Sequence, residues 1–187
     1  MRARESGQSA LLLLDVIDHL NKLNIPYTVV GALAVAYYGI VRASLDADAV
    51  IFVADINDTV EKIKTGLTGA GLNVVFKRGT TGDPLKGVVL IEDSHANQVD
   101  LILGVKGLGP DALERTREGV LNDEPMAMIG PEDLIAMKIF AGGMKDLEDV
   151  RGIISISGDE LDLPLLKTLA RHYGAQQLRT LEKLLSE

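Results

Sequence analysis

Gly39-Ile40-Val41-Arg42-Ala43-Ser44-Leu45-Asp46-Ala47-Asp48 runs straight into the apolar stretch Ala49-Val50-Ile51-Phe52-Val53. The step from acids to β-branched residues predicts a strand over 46–53, apolar in its second half because it is buried there. Residues two apart on a strand share a face, so Asp46 and Asp48 stand side by side, roughly 7 Å apart along the backbone. Two carboxylates so placed cost free energy unless a cation sits between them. Oxygen donors suit a hard divalent ion, and Mg²⁺ in particular where substrate phosphates complete its shell.

Upstream, Tyr27-Thr28-Val29-Val30 reads as a short strand, and Gly31 permits a tight turn into a helix over 32–38 that Gly39 ends. An amphipathic helix over 9–23 carries Leu13, Val16, Ile17 and Leu20 at helical spacing and stops at Asn24-Ile25-Pro26. Residues 1–8 are polar and are expected to fray. Downstream, Asn57-Asp58 offers a cap to a helix over 58–68. Strands are expected over 72–76, 87–91, 98–103 and 126–129, with 87–91 and 98–103 forming an antiparallel hairpin, 78–84 a polar loop and 110–118 a short helix. Beyond them only helices are expected, over 131–140, 145–156, 162–173 and 175–185, with Pro131 in a first turn. The chain is therefore α+β. Residues 1–130 form the core, and residues 131–187 form a helical C-terminal segment expected to pack as part of the same domain.

A third acid, Asp100, interrupts the apolar run Val99-Asp100-Leu101-Ile102-Leu103. A buried carboxylate needs compensation. If the strand over 98–103 lies beside that over 46–53, Asp100 joins Asp46 and Asp48. Three carboxylates there hold two ions about 3.5–4 Å apart, the arrangement used for in-line phosphoryl or nucleotidyl displacement. Blander readings stand beside this one: Asp46 as a turn residue, Asp48 facing solvent, Asp100 paired with an arginine. Each alone is common. A glycine turn, an acid pair and a third in-strand acid in this order are less so.

Composition narrows the field. The chain has 187 residues, 47% hydrophobic and 25% charged, an ordinary globular balance long enough for a sizeable core. It has no cysteine, which excludes disulfides, thiol chemistry and cysteine-ligated zinc. His19, His95 and His172 are scattered without metal-ligand spacing. The formal net charge is −8 and no basic run occurs, so the electrostatic footprint of a nucleic-acid binder is missing. Leu11–Leu14 is far too short to span a bilayer, Asp15 and Asp18 follow it, and no signal-peptide pattern appears, so a cytoplasmic protein away from membranes is expected. Gly104-Val105-Lys106-Gly107-Leu108-Gly109 lacks the ending of a phosphate loop. No Gly-x-Ser-x-Gly elbow occurs, and 4% aromatics is too few for a base-stacking platform.

Val30-Gly31-Ala32-Leu33-Ala34, Gly39 to Asp48, Val99-Asp100-Leu101, Asp133-Leu134-Ile135-Ala136-Met137-Lys138 and Lys145-Asp146-Leu147-Glu148-Asp149 together resemble the nucleotidyltransferase superfamily with the polymerase-β-like fold. The look is closest to the AbiEii-like minimal nucleotidyltransferase group. The resemblance implies a mixed β-sheet flanked by helices. It implies Asp46 and Asp48 as ligands of two Mg²⁺ ions, with Mn²⁺ as a substitute, and Asp100 as third ligand or as base toward the acceptor hydroxyl. Gly31, Ala32, Arg42, Ser44, Lys138, Lys145 and Asp146 would surround the nucleotide. Gly31 would bring backbone N–H groups to the triphosphate. Lys138 and Lys145 would supply positive charge, and Asp146 would polarise an acceptor or fix a lysine.

The residues also admit plainer roles. Asp146, Glu148 and Asp149 suit the first turn of any helix. Lys138 fits a solvated or snorkelling lysine, and Gly142-Gly143 fits a helix break. Arg42 either holds phosphate or acceptor, or neutralises the acid pair without metal. Ala32 stands where such proteins usually carry a second glycine or a serine, so no hydroxyl reaches the phosphates from there, and Ser44 stands where threonine is usual.

The leading expectation is a Mg²⁺-dependent enzyme moving a nucleoside monophosphate from an NTP to a hydroxyl of a protein, an RNA such as tRNA, or a small molecule, in the setting of a toxin–antitoxin pair with a cognate partner protein. The alternative is a non-catalytic protein of the same fold that binds a nucleotide or a partner. A third reading, an interaction protein using its tail helices, predicts an oligomer through residues 160–187 and no metal site.

Overall fold

The structure, a computed structural model, describes residues 1–187. Helix α1 (Ser9–Lys22) precedes strand β1 (Tyr27–Val30), helix α2 (Gly31–Tyr37) and strand β2 (Asp46–Ile51). Helix α3 (Ile56–Gly69) leads to strands β3 (Asn73–Arg78), β4 (Gly87–Glu92) and β5 (Gln98–Leu103). A 3-10 turn (Pro110–Arg115) comes before strands β6 (Arg117–Leu121) and β7 (Glu124–Met128). Four helices close the chain: α4 (Pro131–Ala141), α5 (Met144–Ser157), α6 (Leu163–Tyr173) and α7 (Ala175–Leu184). The 7-stranded sheet has the order β3-β4-β5-β2-β1-β7-β6. It is mixed: β2 runs parallel to β5 and β1 parallel to β7, while the other neighbours are antiparallel. The fold is α+β, as the sequence implies.

Three elements depart from the sequence reading. Helix α3 begins at Ile56, not 58, because Asp55 is the cap and accepts a hydrogen bond from the Asp58 amide. The helix expected over 110–118 is only a 3-10 turn, and its last residues enter β6, a strand absent from the sequence reading. The β6–β7 hairpin turns at Asn122-Asp123, both left-handed at φ 53 and 63. Asn-Asp there does the work more often signalled by Asn-Gly. The N-terminal arm, expected to fray, is tied down. Arg2 is ringed by Asp15, Asp18 and Glu124, Ala3 is buried, and the Gln8 amide donates to Asn97 Oδ1.

One hydrophobic core takes residues from both halves of the chain. Val29, Ala49, Val99 and Leu101 of the central strands share it with Leu134, Ile135 and Ile139 of α4 and Leu166 of α6. Helix α4 is buried on nearly all sides, including Glu132, Asp133 and Lys138. Buried charges on such a helix must find partners. Asp133 is held by Arg115 at 2.7 and 2.9 Å, and Glu132 accepts from the Asp162 amide at 2.9 Å. No helix is long and apolar enough to cross a membrane.

Candidate active site

The parallel register sets Asp46 opposite Gln98 and Asp48 opposite Asp100, while antiparallel β1 sets Val30 opposite Asp48. That register brings the three acids together at one end of the central strands. Carboxylate oxygens of Asp46, Asp48 and Asp100 all lie within 4.8 Å of one another. No histidine joins a cluster of this kind. The register is fastened by Ser9, the buried first residue of α1. Its hydroxyl donates to the Leu45 carbonyl at 2.6 Å and accepts from the Gln98 amide at 3.0 Å, tying the starts of both acid-bearing strands to one helix. Beneath it, fully buried Asn97 bonds Asp93, Glu5 and Gln8. Sequence reasoning missed this clamp, since a serine opening a helix is too common to stand out.

Two of the three acids have a modest partner and none is closed by an arginine. Ser44 donates to Asp46 at 2.5 Å, and the Gln98 side chain donates to Asp100 at 2.9 Å. Asp48 is half-buried and makes no ion pair. Burial first, then the charges of Asp46 and Asp100, push its carboxyl up to about 6; Lys138 and Arg42 draw it back without offsetting them. A cation among the three oxygens removes both penalties. Hard oxygen donors in a tight group with an unpaired, half-buried member fit a hard divalent cation.

Gly31 is required by the same geometry. It opens α2 at φ +64, and a Cβ there would overlap the Asp48 carboxylate. Any side chain at this position collides with the acid as well as straining the backbone. Ala32 is 6% exposed, so its methyl packs against protein rather than standing over an open approach.

Arg42 and Lys138 stand near enough to influence Asp48, but their direct partners lie elsewhere. Arg42 pairs with Asp149 at 3.3 Å and not with the acid pair. Lys138 is 5% exposed, which rules out the solvated or snorkelling reading, and it meets Asp146 at 3.0 Å and Asp149 at 2.8 Å. Of the acids expected in the first turn of α5, only Asp146 is there; Asp149 lies in the next turn and is 4% exposed. Sequence reasoning read Asp149 as a helix-start acid and gave it no place in the site, although its i, i+3 spacing to Asp146 places both on one helix face. Lys145 is exposed and makes no ion pair. Gly142, left-handed at φ 69, ends α4, and Gly143 caps α5, so this pair is a helix break.

No protein-family model and no curated protein matches the sequence. Solved structures do match in shape. ANT(2")-Ia in complex with adenylyl-2"-tobramycin is 15% identical, with a TM-score of 0.58 over 87% of this chain and 94% of that one. An antigenic nucleotidyltransferase-like protein from Paracoccidioides brasiliensis is 21% identical, with a TM-score of 0.53 over 98% and 95%. The lincosamide antibiotic adenylyltransferase LnuA, lincomycin-bound, is 15% identical, with a TM-score of 0.50 over 82% and 99%. At such identities the likeness is one of fold. The chain therefore has the α+β fold of nucleotidyltransferases, spanning nearly the whole length of each of these neighbours.

Proposed function

We propose that this protein is a divalent-metal-dependent nucleotidyltransferase, with Asp46, Asp48 and Asp100 as its metal ligands. The observation that carries this is the convergence of the three carboxylates without a counter-cation in contact. Mg²⁺, when bound there, supplies a lowered pKa at the acceptor hydroxyl and neutralises charge on the leaving pyrophosphate. The acceptor oxygen attacks the α-phosphorus of the NTP, the bond to the pyrophosphate oxygen breaks, and pyrophosphate leaves with that electron pair. Asp100, on the strand beside the acid pair, would act as third ligand or take the acceptor proton. Gly31 leaves room at the start of α2 for the Asp48 carboxylate, and backbone N–H groups of that turn would meet the phosphate oxygens. Lys138 and Arg42 bias the polyphosphate toward the acids, with Ser44, Lys145 and Asp146 at the rim. Residues 1–130 carry the acids, and residues 131–187 contribute Lys138, Lys145 and Asp146.

The acceptor class is a protein, RNA or small-molecule hydroxyl. The net charge of −8 speaks against an RNA. Fold neighbours that modify antibiotics support a small molecule. Membership of the AbiEii-like group and a toxin–antitoxin setting with a cognate partner belong to this proposal and rest on the sequence resemblance; residence in the cytoplasm belongs to it too and rests on the reading of the N-terminal sequence. The test is transfer of label from α-labelled NTP with Mg²⁺ or Mn²⁺ to candidate acceptors, with Asp48→Asn beside wild type. Equal labelling by the two overturns the assignment.

A second reading keeps the fold and drops the chemistry: a protein that binds a nucleotide or a partner without turnover. Ala32, which offers no hydroxyl to the phosphates, favours it. Calorimetry with Mg²⁺ and each NTP, read beside the label-transfer assay, separates the two. Metal-dependent NTP binding supports transfer, and binding of neither supports a partner-binding role.

A further inference from the structure

Asp149 is 4% exposed, and its two carboxylate oxygens are divided between two cations. Oδ1 faces Arg42 Nε at 3.3 Å and Oδ2 faces Lys138 Nζ at 2.8 Å. The cations come from different parts of the chain. Arg42 sits on the connection between α2 and β2, which has no regular structure and exposes Val41, Ala43, Ser44 and Leu45. Lys138 sits on buried α4. The connection between α2 and β2 leads directly into Asp46, and Ser44 on it bonds that acid. Its other hold on α5 is apolar and close: a Cβ at Gly152 would meet Ile40 Cδ1 at 2.6 Å, and one at Gly39 would meet Ile156 at 3.2 Å. Arg42 to Asp149 is its one ionic hold.

We propose that Asp149 is a positioning residue for polyphosphate binding: by splitting its carboxylate between Arg42 and Lys138 it fixes where both cations stand relative to the three acids, and so links the helical segment to the acid-bearing strand. This rests on the nucleotidyltransferase reading above. A buried acid shared by two cations is costly to remove, because each cation is then left with less compensation in a desolvated place. Asparagine keeps the shape but turns one oxygen into an N–H donor, which faces one of the two cations with like polarity.

The sign of the effect separates positioning from bulk charge. Replacing Asp149 by Asn makes the site more positive by one unit, so electrostatics alone would tighten polyphosphate binding. Misplaced cations weaken it. The experiment is calorimetry of ATP, GTP, CTP and UTP, each with Mg²⁺, against wild type, Asp149→Asn, Arg42→Gln, Lys138→Gln and the two doubles that contain Asp149→Asn. The expected result is that wild type binds at least one nucleotide and Asp149→Asn binds it about tenfold or more weakly. In the Arg42→Gln and Lys138→Gln backgrounds the same change costs markedly less, since its effect runs through those cations. Equal or tighter binding by Asp149→Asn overturns the inference and leaves the function standing. So does a loss that persists undiminished in both backgrounds, which is the mark of a merely structural acid. If wild type binds no nucleotide, the functional reading and this inference fall together. Should Asp149→Asn fail to fold, Asp149→Glu is read instead. It keeps the charge and moves it by one methylene, so it should weaken binding, and unchanged binding overturns the inference.

Discussion

Two groups of three carboxylates occupy different places in this molecule and meet opposite fates. Asp15, Asp18 and Glu124 surround Arg2, which binds the first two at 2.8 Å each and Glu124 through both of its side-chain oxygens. Asp46, Asp48 and Asp100 converge to within 4.8 Å of one another and receive only a serine hydroxyl and a glutamine amide. In the first group the guanidinium is the counter-ion, and its own pKa is raised by the carboxylates it binds, Glu124 first. In the second, Asp48 is left holding its proton to unusually high pH. Acid density alone therefore says little. What marks a site is acidity that the protein declines to neutralise.

The largest expected break in this contrast is catalytic. Asp48→Asn or Asp100→Asn should lower nucleotidyl transfer by about 10³-fold or more, read as label transferred from α-labelled NTP, because charge neutralisation dominates this class of reaction. Arg2→Met should leave that rate within about twofold. Next is Gly31→Ala. Overlap with Asp48 and a positive φ should cost roughly 2–4 kcal/mol by denaturant unfolding, and Mn²⁺ binding followed by electron paramagnetic resonance should weaken with it.

A smaller effect sharpens the electrostatic side. The Asp48 carboxyl sits at about 6 in the metal-free fold against 3.8 ordinarily. Between those values the folded chain holds a proton that the unfolded chain has released. Stability in chelator must therefore fall as pH rises through that window, by up to about 3 kcal/mol, and stay low above it. Asp48→Asn should flatten the slope, and saturating Mg²⁺ should reverse the loss in wild type alone. Smallest is Arg2→Met, expected to cost about 1 kcal/mol, since its pairs are partly solvated. Added salt should shrink even that.

The legible part of the fold is that in which side-chain alternation and chemistry coincide. Asp46-Ala47-Asp48 and Val99-Asp100-Leu101 declare both their strands and their shared face, so the trio follows once the strands are neighbours. Helix α4 shows where reading fails. With Leu134, Ile135, Ala136 and Ile139 buried alongside Glu132, Asp133 and Lys138, it has no polar side to mark its orientation, and the burial of Lys138 follows only from the tertiary packing. Strand β6 was hidden for another reason. Arg117-Glu118-Gly119 starts it with charges and a glycine, and only Val120-Leu121 carries a strand signal.

The Ser9 clamp has a practical corollary for anyone handling this polypeptide. Its opening residues read from the sequence as a polar tail that could be trimmed away, but they are tied to the fold. Losing them through Ser9 would unfasten Leu45 from Gln98 and leave the starts of the two acid-bearing strands without the side chain that bridges them. A shortened preparation that looks inert would then report a missing latch and say nothing of the chemistry.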